Sequence, residues 1–212
     1  MGQTKVSQSL PKFREQLQDL MHSPYLRPFV CEGSPLDCDV FIVGINATTK
    51  LDFWRFWTDD YGFHKEKWLK AYQEERVEKG KRAITPTRNK IGILIKELAP
   101  HKCLETNLYA TATARASQLE KEEQSTRIFE FLLETIQPRI IYLYGSEPFE
   151  YFSWQIKGLK QNEIRVAELA YGKVSLYATR HLSYQTSYIQ VSELARHTLK
   201  PVANELAQKR FG

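Results

Sequence analysis

The chain has 212 residues, a formal net charge of +5 and 42% apolar content, which suits one domain with a sizeable core and excludes wholesale disorder. No apolar stretch approaches a membrane span, and the polar N-terminus lacks a signal-peptide core, so a cytoplasmic protein is expected. Cys31, Cys38 and Cys103 are an odd, unpaired set that fits a reducing compartment and falls short of the four ligands of an iron–sulfur cluster.

Residues 12–22 place Phe13, Leu17, Leu20 and Met21 on one helical face, and Ser23-Pro24 and Arg27-Pro28 then break the pattern. Val40–Val43 is a continuous apolar run, as expected of a strand covered on both faces. Residues 51–82 form an aromatic and basic segment, whose second half predicts an exposed helix. Thr87 is read as the cap of a helix over 88–98 that buries Ile91, Leu94, Ile95 and Leu98. Leu104–Tyr109 is the second strand, 122–136 a helix stopped by Gln137-Pro138, and Ile140–Tyr144 the third strand. Gly145-Ser146 opens a helix with Pro148 in its first turn. Val174–Ala178 is the fourth strand, and 190–208 the last helix, interrupted or kinked near Pro201. Strands separated by helices predict an α/β fold with a mostly parallel sheet, in a single domain over 1–212.

Neither G-x-G-x-x-G nor G-x-x-x-x-G-K-[ST] occurs, which counts against an ordinary dinucleotide or NTP enzyme. The strand ends are more informative. The first strand runs into Gly44-Ile45-Asn46, the second into Asn107, and the fourth into His181-Leu182-Ser183. In a parallel sheet these polar groups converge at one edge, where open α/β folds bind ligands.

The order and spacing of these motifs resemble the uracil-DNA glycosylase superfamily, and G-I-N is the form seen in its mismatch-specific uracil/thymine branch. The resemblance implies a three-layer α/β/α domain with a central four-stranded sheet, no cofactor and no metal, and DNA as partner; a monomer is the default. It implies a monofunctional DNA glycosylase that flips a base out of DNA and hydrolyses its N-glycosidic bond. Asn46 and His181 match the catalytic positions: Asn46 would orient the attacking water, and His181 would donate to the base carbonyl as the base leaves. An Asn at a strand end also serves simply to shape a turn, so that reading stays open.

Gly44, Ile45, Thr48, Phe56 and Asn107 are the expected substrate-binding residues. Asn107 would read the base edge, because an amide offers both donor and acceptor. Thr48 stands where strict uracil enzymes carry a bulky Tyr, which implies room beyond C5 for thymine or larger modified pyrimidines. Phe56 is the choice for the ring that stacks on the base, with Phe53 close behind. Arg88, Ser183, and Tyr184 or Gln185 are the expected DNA contacts, the first two on phosphates and the others filling the gap left by the flipped base. Leu182 and Tyr184 replace two prolines of the family's His-containing motif. Two purposes fit a permissive pocket: repair of uracil- or thymine-type lesions, and defence by excision of hypermodified phage cytosines. A non-catalytic nucleic-acid-binding protein that keeps the fold is the alternative, and hydrolysis of free nucleosides or nucleotides is a third.

Overall fold

Strands buried on both faces form the centre of the molecule. The computed structural model describes residues 8–113, 116–183 and 187–208. In chain order the elements are α1 (Leu10–Leu20), β1 (Phe29–Val30), β2 (Val40–Gly44), β3 (Trp57–Thr58), β4 (Gly62–Phe63), α2 (Lys65–Glu78), α3 (Pro86–Leu98), β5 (Cys103–Asn107), α4 (Arg127–Ile136) and β6 (Ile140–Tyr144). They continue with α5 (Ser146–Gln155), β7 (Ile164–Leu169), β8 (Gly172–Thr179), α6 (Tyr188–Glu193), a π-helical turn (Leu194–Leu199) and α7 (Lys200–Gln208).

The fold is α/β, but the expected four-stranded sheet needs correction. Among the described residues the main sheet has six strands in the order β1-β5-β2-β6-β8-β7. β5, β2, β6 and β8 are mutually parallel, while β1 and β7 are antiparallel to their neighbours. The edge strands escape sequence reading for different reasons. β1 has only two residues and follows a proline break. β7 is largely exposed and mixes Arg165 and Glu168 with Ile164 and Val166, so it lacks the apolar run of a covered strand.

Each central strand sends alternate side chains to opposite faces. Phe41, Val43, Leu104, Ile141, Leu143 and Leu176 pack with Phe13 and Leu17 of α1, Phe129 and Leu132 of α4, and Phe152 of α5. Val40, Ile42, Ile140 and Tyr142 pack with Ile91 and Leu94 of α3, Val191 of α6 and Leu199 of the π turn. Helices therefore cover both faces.

Two helix starts differ from expectation: α4 begins at Arg127 rather than at 122, and α3 begins ahead of Thr87. The cap of α3 is Thr85, whose hydroxyl accepts from the Arg88 N–H, and Pro86 takes the first helical position, where its missing N–H costs nothing. The last helix is interrupted by the π turn, which ends just before Pro201, in keeping with the expected interruption near that residue. Among the described residues no helix is long and apolar enough to cross a membrane.

Gly44, at the end of β2, lets a neighbouring ring approach. A Cβ built there overlaps the hydroxyl and ring of Tyr144 at the end of β6. Gly44→Ala is expected to cost about 1–3 kcal/mol through overpacking, read as a lower midpoint in chemical denaturation with an unchanged slope.

Candidate active site

The carboxyl ends of the parallel strands open into a cavity of about 600 Å³. Ile45, Asn46 and Thr48 reach it from the loop after β2, and Glu105 from β5. Tyr144, Gly145, Ser146 and Glu147 arrive from the β6–α5 junction, and His181 and Ser183 from the segment after β8. Gly145 has a φ of 111°, a conformation that glycine tolerates and that turns the chain sharply from strand into helix. Thr85, Thr87, Arg88 and Ile91 line the cavity from α3, Tyr72 from α2 and Arg27 from the approach to β1.

Asn46 is fixed by the chain that follows β5. The Leu108 N–H donates to the Gly44 carbonyl at 2.8 Å and the Tyr109 N–H to the Ile45 carbonyl at 2.9 Å. The Asn46 Nδ2 donates to the Ala47 carbonyl at 2.9 Å and lies 2.7 Å from the Thr113 hydroxyl. A carbonyl only accepts, so this contact settles which end of the amide is nitrogen, and the side chain offers Oδ1 as an acceptor.

His181 has a defined tautomer. The Ser183 N–H donates to its Nδ1 at 3.1 Å, and the Ser183 hydroxyl lies 2.7 Å from the same atom. An Nδ1 that accepts leaves the ring proton on Nε2. Burial holds the His181 pKa below its ordinary value of 6.5, with Lys90 acting in the same direction and the Glu147 carboxylate opposing. The imidazole is therefore a neutral N–H donor at neutral pH. Lys90, buried on α3, donates to the Leu182 carbonyl and so fastens the turn that carries His181.

Below pH 6.5 the unfolded chain protonates His181 before the folded chain does, so this group lowers stability as pH falls through its shifted range and is silent above it. An NMR titration of the imidazole is expected to give a midpoint below 6.5, and His181→Gln is expected to remove that contribution to the stability–pH profile.

The innermost part of the cavity is ionic. Arg88 donates from both Nη atoms to the Glu105 carboxylate, and Arg27 Nη2 lies 3.3 Å from Glu105 Oε1. All three are buried. The Arg88 guanidinium lies 4.8 Å from the Trp68 ring centre and 5.6 Å from that of Tyr72, and Arg27 lies 5.7 Å from Trp68. Aromatic faces of α2 thus back both cations. Burial alone would raise the Glu105 carboxyl, but the two guanidinium groups outweigh it and hold the pKa below the usual range.

The structure therefore brings Asn46, His181, Ile45, Thr48, Arg88 and Ser183 to one cavity and corrects several expected roles. Arg88 lies buried on the cavity floor against Glu105, below the exposed rim where a duplex phosphate would pass. Ser183 serves the imidazole rather than standing apart from it. Asn107 is buried and does not line the cavity: with its amide in the orientation that satisfies both ends, its oxygen accepts from Arg27 Nη2 at 2.9 Å and its nitrogen donates to the Asn46 carbonyl at 3.3 Å. Gly44 contributes the space taken by Tyr144. Phe56 is buried in the aromatic core beside Phe63, and Phe53 stacks on the same ring, so neither lines the cavity. The lining rings are Tyr72 and Tyr144. Tyr184 and Gln185 lie outside the described residues.

Arg27, Glu105, Tyr144 and Glu147 are lining residues that sequence reasoning missed. Glu147 sits in the first turn of α5, where the helix dipole favours a carboxylate, and accepts from the Ser146 hydroxyl at 2.7 Å. Among the described residues no three His, Cys, Asp or Glu side chains gather as a metal site. No family model matches the chain, and no curated protein matches it.

Proposed function

We propose that the protein is a monofunctional DNA glycosylase acting on a flipped pyrimidine. The observation that carries this reading is the pairing of an Asn46 offering Oδ1 with a neutral His181 offering Nε2–H in one cavity at the strand ends.

Base release needs a stabilised leaving anion and a positioned water. In the proposed mechanism His181 Nε2–H donates to the base carbonyl nearest the scissile bond, and the donor strengthens as negative charge develops there. A neutral imidazole suffices because it is held in place before the reaction. Asn46 Oδ1 accepts a hydrogen bond from the attacking water and aims it at the anomeric carbon. Asn is too weak a base to take the proton early, so water adds as the sugar becomes cationic. Glu147, whose carboxylate acts electrostatically on His181, supplies negative charge near that cation and an acceptor for the proton released.

Thr48 is exposed and short at the cavity, which supports a base substituted at C5. The test is a panel of duplex and single-stranded oligonucleotides bearing uracil, mismatched thymine, 5-hydroxymethyluracil, 5-hydroxymethylcytosine or glucosylated 5-hydroxymethylcytosine, with alkaline cleavage of abasic product as readout. Abasic product is expected from at least one C5-substituted base. Thr48→Tyr is expected to lower that activity about 10-fold or more while sparing uracil, because an added ring that must be displaced costs about 1–3 kcal/mol. No product from any substrate, with DNA binding intact, would favour the non-catalytic binding protein.

A further inference from the structure

The ionic floor of the cavity has more donors than its own residues use. Arg27 and Arg88 bring two positive charges, and Glu105 returns one negative charge. Both oxygens of Glu105 are engaged by the arginines, so the carboxylate has little left to offer a ligand. Among the described residues Arg88 Nε is buried and has no acceptor, although a buried donor left unmatched costs about 1–3 kcal/mol. Asn107, also buried, gives its oxygen to Arg27 in the orientation that satisfies both ends of its amide. Thr85 and Thr87 add hydroxyls to the same wall.

Position separates this floor from the rim. Thr48, Ser146 and Ser183 are exposed around the cavity, whereas Arg27, Arg88, Glu105 and Tyr144 are buried. A duplex backbone passing over the site meets the rim. Only the group that enters the cavity reaches the arginines.

We propose that the Arg27–Arg88–Glu105 floor is an oxyanion subsite, so that the preferred base carries a negatively charged substituent, a carboxylate or a phosphate. This rests on the glycosylase reading for the word base, but the subsite itself is a statement about binding. Arg27 and Arg88 meet the anion through charge-assisted hydrogen bonds, Glu105 bridges the two guanidinium groups, and the rings of Trp68 and Tyr72 pack against them. A neutral pyrimidine leaves the surplus charge unmatched.

The experiment is calorimetric titration of the whole protein with free uracil, 5-hydroxymethyluracil, 5-carboxyuracil and 5-(phosphooxymethyl)uracil, and with an oligonucleotide carrying a tetrahydrofuran in place of one nucleoside. At least one anionic base is expected to bind about 10- to 100-fold more tightly than uracil, the gain a charge-assisted hydrogen bond supplies. Arg27→Gln is expected to erase that preference and Arg27→Lys to keep part of it. If Arg27→Gln does not fold, the wild-type comparison decides alone. Equal binding of charged and neutral bases, or binding of none, overturns the proposal. So does an Arg27→Gln protein that loses affinity only for the base-less oligonucleotide, since the anion is then a backbone phosphate. Tight binding of an anionic base by a protein that excises nothing would uphold the subsite and defeat the glycosylase reading. Excision of neutral bases with no anion preference would do the reverse.

Discussion

Replacing His181 by Ala is expected to slow base release by about two to three orders of magnitude, the usual cost of removing one donor from a developing oxyanion. The loss belongs in the chemical step, so single-turnover rates should fall while affinity for a substrate-bearing oligonucleotide changes little. His181→Gln keeps an N–H donor on a similar stem but loses the Ser183 contacts that orient the ring, so partial recovery is expected. Asn46→Ala should also fall by about two orders of magnitude, because a water no longer held near the anomeric carbon loses its positioning advantage. Asn46→Asp offers the informative contrast. It keeps an acceptor but loses the donor to the Ala47 carbonyl, placing a carboxylate beside another oxygen. A rise in rate with pH would then show that a stronger base helps more than the lost fixation hurts. Full activity in both Ala variants would remove the strand-end pair from the mechanism.

Glu105→Gln is expected to be the most destabilising single change at the site, by about 3–5 kcal/mol, because it leaves two buried arginines facing each other without their shared carboxylate. For a chain of this size that corresponds to a fall of roughly 10 °C in the thermal midpoint. Lys102→Ala is the control. Its contact with Asp37, at 2.9 Å, is about half exposed on both sides and is expected to be worth no more than about 1 kcal/mol. Thermal unfolding followed by circular dichroism compares the two. The sign with pH is also fixed. The Glu105 pKa is lower folded than unfolded, so its contribution is complete above the ordinary carboxylate range and is lost as acid titrates it. Glu105→Gln should therefore show a flatter decline in stability below about pH 4.5 than the parent protein.

The central strands were legible because Val40–Val43 and Ile140–Tyr144 are covered on both faces and need apolar residues throughout. The strand ends were legible for the same reason: polar residues directly after such runs have few places to go except the sheet edge. Glu105 was not, because a lone glutamate within Cys103–Asn107 gives no sign of its partners, which lie on a loop before β1 and on α3. Asn107 was assigned to a base edge on position alone, yet the nearer cation claimed its amide. Phe56 was chosen on spacing, and spacing does not separate a ring that stacks on a ligand from one that fills a core. The tight packing of Phe29, Phe53, Phe56 and Phe63 resolved that in favour of the core. Glu147 was missed because it follows Gly145, whose sharp turn brings it to the cavity.

Arg88 and Glu105 are 17 residues apart, but Arg27 and His181 come from segments far from both along the chain. None of the segments can make the floor from local contacts, and such non-local contacts form slowly because long loops must close first. A partly unfolded chain therefore has neither the paired arginines nor His181 and Asn46 in one cavity. On the glycosylase reading proposed above, competence would then depend on completion of the fold.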